Sequence, residues 1–183
     1  MLTQIIDGCR KQQRESQKEL YKMFYGYGMS ITLRYTDTRE QAVTVLNDSF
    51  LKVFDQIKKF DTERPFKPWL RTVIVHTAIN HYHKEQAYRK RTEALENPDE
   101  IGRQEEVLSG ISFREILSLV QELTPAYRTV FNLYVIEGYK HKEIAGMLSI
   151  SVGTSKSNLF KAKQHLQSKL ESHLLQVKRY EGS

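Results

Sequence analysis

The 183-residue sequence has one cysteine, Cys9, one tryptophan, Trp69, four prolines and no long apolar run. A single cysteine excludes an internal disulfide and a cysteine-based zinc site, and it fits a reducing compartment. The one apolar stretch of note, TVIVHTAI at 72–79, is interrupted by His76 and falls well short of the roughly 20 residues a membrane-spanning helix needs. The opening MLTQIIDGCRKQQR has no continuous apolar core followed by a small-residue cleavage site, so a soluble, cytoplasmic protein is expected. No Walker loop, Ser/His/Asp order or carboxylate pair stands in a context that would support catalysis. His76, His81 and His83 are the nearest approach to a metal set. On a helix, positions 81 and 83 point to different sides and 76 lies two turns from 83, so neither a metal site nor a cofactor is expected.

What the chain does have is a basic excess, 28 Lys and Arg against 22 Asp and Glu, with pI near 9.3. That balance suits a polyanionic partner. Apolar residues recur at helical spacing. Leu46, Phe50, Val53, Phe54 and Ile57 form one stripe, and Leu70, Val73, Ile74 and Ala78 form another. Between them FDTERPFKP reads as a loop, because Pro65 and Pro68 bias the residues before them away from helix. No strand pattern competes, and the fold class expected is all-α. Tyr21, Phe24 and Tyr25 read as packing between helices, and Lys11, Arg14 and Lys18 as a solvated face. From Thr92 to Ser112 the composition turns acidic, with Glu93, Glu96, Asp99, Glu100, Glu105 and Glu106 against Arg103 and with Pro98, Gly102 and Gly110 as breakers. This is an expected linker, and it divides the chain into domains at 1–91 and 113–177, with a tail at 178–183. The second domain reads as four short helices, with Thr124 capping and Pro125 opening a helix that Gly138 ends.

The chemistry gathers at residues 141–162, HKEIAGMLSISVGTSKSNLFKA, where two amphipathic segments meet at a tight corner. That is the outline of a helix-turn-helix. Ser151 is the expected N-cap of the second helix, which leaves free amides near Val152 and Gly153 for a phosphate. Thr154, Lys156, Ser157, Asn158 and Lys161 offer hydrogen-bonding side chains over its first turns, while Leu159, Ala162 and Leu166 stay apolar on the other face. Between Lys142 and Arg179 seven lysines and arginines oppose two glutamates, the footprint of a DNA-binding segment. At this level the residues point to a DNA-binding segment, and a one-component helix-turn-helix regulator that binds DNA alone would fit them.

YKHKEIAGMLSISVGTSKSNLFKAKQHL, preceded by LTPAYRTVFNLYVIEG, resembles region 4 of the extracytoplasmic-function sigma factors of the sigma-70 family. LNDSFLKVFDQIKKFDTERPFKPWLRTVIVHTAINHYHK resembles their region 2. The resemblance implies a non-enzymatic subunit of bacterial RNA polymerase, with region 4 reading the −35 element and region 2 recognising and opening the −10 element. It puts Ser151, Thr154, Lys156, Ser157, Asn158, Lys161 and Lys163 on the −35 side. The loop Asp61, Thr62, Glu63, Arg64 and Phe66 falls where the family holds an extruded base, and Trp69, Asn80 and Lys84 lie on the helix that follows. Asp48, Phe50 and Lys52 lie on the polymerase-binding helix. The implied partners are core RNA polymerase, promoter DNA and an anti-sigma factor of the kind often tethered to a membrane. The sequence departs from the family pattern at Ser149, usually Gly, at Ser155, usually apolar, and at Asn158, often Arg. Val43 and Thr44 replace a usual acidic pair.

One recognition helix without a dimerisation heptad gives weak, salt-sensitive binding to duplex promoter DNA when the chain is alone. Fluorescence anisotropy across a salt series checks this. Tight, salt-resistant binding to a palindrome without polymerase would instead identify the one-component regulator.

Overall fold

The computed structural model describes residues 1–92 and 113–181. The expected acidic linker lies almost wholly outside them. Every regular element among the described residues is helical. They run α1 (Leu2–Arg10), α2 (Arg14–Thr32), α3 (Arg39–Gln56), a 3₁₀ turn (Ile57–Lys59), α4 (Phe66–Thr92), α5 (Phe113–Gln121), α6 (Pro125–Phe131), a π turn (Asn132–Ile136), α7 (His141–Leu148) and α8 (Val152–Glu181). The chain divides into two compact units, Met1–His81 and Tyr82–Ser183. The division falls inside α4, which runs unbroken through it, whereas the composition change in the sequence put the boundary near residue 91.

In the first unit α1, α2 and α3 pack in succession. Thr38 starts α3 with a reciprocal cap: its Oγ1 accepts from the Gln41 amide at 3.2 Å, and the Gln41 side-chain oxygen accepts from the Thr38 amide at 3.3 Å. Val45, Leu46, Phe50 and Val53 are buried along that helix, as helical spacing requires. Gly28 lets α2 approach, since a Cβ there would collide with the Leu46 side chain. Arg10 ties α1 to the 3₁₀ turn, donating from Nη2 to the Phe60 carbonyl at 2.6 Å.

The loop expected at 60–68 is shorter than its prolines suggested. Helix α4 begins at Phe66, so Pro68 sits in its first turn, where a backbone N–H has no intrahelical partner to lose. Phe66 is only 4% exposed. Its ring centroid lies 5.0 Å from Phe24, 5.4 Å from Phe60 and 5.5 Å from Trp69. Phe66 therefore belongs to the core, not to a base-holding loop surface.

In the second unit α5, α6 and α7 pack on α8 around Val120, Leu123, Val130, Leu133, Ile144, Leu148, Leu159 and Ala162. Pro125 opens α6 as expected, but the Thr124 side chain makes no capping bond. Gly138, at φ +80°, follows the π turn that ends the α6 segment, a conformation glycine adopts without steric cost. Helix α8 is not short. It continues to Glu181, through the first residues of the expected tail, because no Gly or Pro interrupts 154–181.

Cys9 is 1% exposed, and burial pushes its thiol up to about 11, so the native thiolate is scarce and shielded. Phe66→Ala should destabilise the first unit by about 3 kcal/mol or more. Alkylation of Cys9 reads this directly, and its rate should rise by about a hundredfold. An unchanged rate and denaturation midpoint would mean that the ring is not a core element.

Candidate nucleic-acid interface

The corner between α7 and α8 is built from small polar residues. The Lys140 amide donates to Glu143 Oε2 at 2.7 Å, which fixes the start of α7. Ser149 ends that helix at φ 54°, ψ 43°, and the Ile150 amide returns to the Ala145 carbonyl at 3.1 Å. The left-handed residue that glycine usually supplies is thus a serine here. Ser151 caps α8 as expected. Its Oγ accepts from the Thr154 amide at 2.9 Å and lies 2.8 Å from Thr154 Oγ1. The Ser151 and Thr154 hydroxyls therefore bond each other and the helix start, while both residues stay exposed.

Beyond the cap, α8 has two faces. Ser155, Leu159 and Ala162 are buried. Gly153, Lys156, Ser157, Phe160, Lys163 and Gln164 are exposed, and Asn158 is half-buried. Lys161 leans over the Tyr127 ring at 5.9 Å, a cation–π contact that holds its stem along α6. Phe160, 63% exposed on the outer face, was missed by the sequence reading. Its signal is positional: 153, 157, 160 and 164 share one helical line opposite the buried one. An aromatic edge there suits apolar contact with a thymine methyl in a major groove. The buried Ser155 hydroxyl does not bond back along its own helix; it meets His141 Nδ1 at 2.9 Å.

In the first unit Asp61, Thr62, Glu63 and Arg64 form an exposed turn. Asp61 organises it, accepting from the Glu63 amide at 3.1 Å through Oδ1 and pairing with Arg64 Nε at 3.4 Å through Oδ2. Thr62 and Glu63 keep exposed side chains. Trp69 is half-buried, its ring 4.7 Å from Phe60, so one side packs the core beneath the turn. Asn80 is exposed on α4 in this unit, and Lys84, past the division on the same helix, is exposed in the second.

On α3, Asp48 is exposed and Lys52 is half-buried, with Nζ donating to Thr77 Oγ1 at 3.2 Å. Phe50 is 2% exposed and packs edge-on against Tyr21 at 4.8 Å. It cannot be a surface contact for a partner. The exposed apolar side chain on that helix is Leu51, one residue on and facing outward. Among the described residues no three His, Cys, Asp or Glu side chains gather as metal ligands, and no helix is long and apolar enough to cross a membrane.

The chain is similar to known proteins. The family profile for sigma-70 region 2 matches residues 20–88, and that for sigma-70 region 4 matches residues 113–166. The ECF RNA polymerase sigma-E factor of Haemophilus influenzae is 27% identical over 180 residues, covering 91% of this chain and 94% of that protein. The ECF RNA polymerase sigma factor SigM of Bacillus subtilis is 28% identical over 155 residues, covering 81% of this chain and 91% of that protein. Among solved structures, the sigma factor RpoE in complex with the anti-sigma factor NepR from Bartonella quintana shares the fold. Its TM-score is 0.53 at 15% identity, covering 84% of this chain and 96% of that one.

The left-handed Ser149 carries a cost that glycine would not. Ser149→Gly should stabilise the corner by about 0.5 kcal/mol, the steric relief of roughly 1 kcal/mol being partly offset by glycine's larger unfolded entropy. Hydrogen exchange of α7 and α8 amides measures it. Faster exchange in the variant would show that the corner does not need this conformation.

Proposed function

The chain belongs to the extracytoplasmic-function group of the sigma-70 family, and from that premise we propose how its residues divide the work of promoter-specific initiation. As a sigma factor it binds core RNA polymerase and directs it to selected promoters by reading the −35 element and capturing the −10 strand. Polymerase supplies the chemistry of synthesis; this chain contributes selective binding, in the cytoplasm where polymerase works. Residues 1–91 act as region 2, 92–112 as the linker and 113–177 as region 4.

The observation that carries the −35 assignment is the capped, outward-facing start of α8. There Lys156, Ser157 and Phe160 meet base edges, while Lys161, Lys163 and the helix start meet phosphates. Ser151 and Thr154 act mainly by shaping that start, and Asn158 stands at its flank. In region 2, Thr62 and Glu63 offer polar partners to an unstacked base, on a turn that Asp61 and Arg64 keep in shape. The exposed side of Trp69, with Asn80 and Lys84, borders the displaced strand. Asp48, Leu51 and Lys52 form part of the polymerase-facing surface. An anti-sigma partner would act by covering these same faces.

Holding an extruded base offsets an unpairing cost of a few kcal/mol. Thr62→Ala with Glu63→Ala leaves the Phe66 core untouched. The double variant should bind polymerase normally yet lose opening of duplex promoters, and it should recover activity on templates with a pre-melted −10 bubble. Permanganate reactivity of unpaired thymines on both templates measures this. Normal opening of duplex DNA by the variant would reduce the turn to a connector.

A further inference from the structure

Among the residues of α8 whose burial is described, Ser155 is the one fully buried hydroxyl, at 0% exposure, and it lies between the exposed Thr154 and Lys156. A buried hydroxyl needs a partner, because leaving it unsatisfied carries most of its desolvation penalty. Its partner comes from another helix. His141, the first residue of α7, places Nδ1 2.9 Å from Ser155 Oγ. The imidazole is held from a second direction, for the Tyr134 ring of the π turn stacks on it with centroids 4.5 Å apart and planes 24° apart. One side chain thus joins three elements of the second unit: the π turn, α7 and α8.

We propose that His141 is a positioning residue for promoter recognition, setting the tilt and rotation of the first turn of α8 through its directional bond to Ser155. This inference rests on the reading of α8 as the −35 helix. An apolar side chain at 155 could slide within its pocket. A hydrogen bond to a ring clamped by Tyr134 fixes both distance and direction. Because Lys156 follows Ser155 directly, a small rotation of this turn moves its reach along the base edges. Specificity is sensitive to such shifts, since a mispaired base contact costs about 1–3 kcal/mol. Either ring tautomer serves the pair, since a serine hydroxyl donates to a bare Nδ1 and accepts from an Nδ1–H.

The test uses holoenzyme assembled with core polymerase and a library of promoters randomised at the −35 element. Wild-type holoenzyme must first show −35-dependent transcription; failure at that stage overturns the function reading itself, not the pairing. His141→Phe keeps a ring against Tyr134 but strands the Ser155 hydroxyl. It should lower transcription from the preferred −35 sequence by about tenfold and flatten base preference. Adding Ser155→Ala removes the stranded hydroxyl and should recover thermal stability, yet base preference should stay flattened, because no directional bond remains to set the turn. His141→Asn, whose side-chain amide can reach near the Nδ1 position, should keep the wild-type order of preferred bases, even if thermal unfolding shows it less stable. Equal losses on every −35 sequence with the preference order unchanged, or return of the wild-type preference on adding Ser155→Ala, would overturn the proposal. If His141→Phe does not fold, the His141→Asn comparison decides the matter on preference order alone.

Discussion

A side chain buried between helices cannot also face a partner, and this division recurs through the structure. Phe66 is the plainest case. Its ring fills the space among Phe24, Phe60 and Trp69, anchoring the start of α4 and the end of the preceding turn. With Phe66 committed inward, the polar residues 61–64 are held at the surface on a short connection with both ends fixed. Trp69 lies on the border, one side packed on Phe60 and the other open.

The same division organises α8. Its inner line of Ser155, Leu159 and Ala162 binds it to the rest of the unit, and its outer line carries lysines, serine and an exposed phenylalanine. The corner before it uses polar groups where an apolar or flexible residue would be simpler. Ser149 accepts a left-handed backbone, Ser151 and Thr154 satisfy the helix start, and Ser155 bonds His141. The departure at Ser155 is matched by a bond from another helix, whereas the departure at Ser149 leaves a serine in the left-handed position. At Asn158 the structure shows only partial burial. On α3 the division falls between neighbours, Phe50 packing inward on Tyr21 while Leu51 faces out.

Local sequence was enough for the all-helical class, the two-part order of the chain, a tight corner within 141–162, the cap at Ser151 and the burial of Leu159 and Ala162 on α8. All of these rest on local chemistry, namely the spacing of apolar residues, the conformational limits of Pro and Gly, and the capping preference of a serine hydroxyl. The resemblance to sigma factors also followed from residues adjacent in sequence.

Only the tertiary structure decided which aromatic residues are core and which are surface. Phe50, Phe66 and Phe160 are chemically identical, and what separates them is whether a neighbouring helix arrives to cover the ring. The same is true of the hydroxyl at Ser155, whose partner His141 lies 14 residues away and on another helix. Periodicity indicates which side of a helix a residue occupies, but not what stands opposite. Burial and hydrogen-bond pairing depend on elements brought together by folding, so Phe66 moved from the expected DNA surface into the core, and Phe160, given no role by its spacing, stands on the outer face of α8.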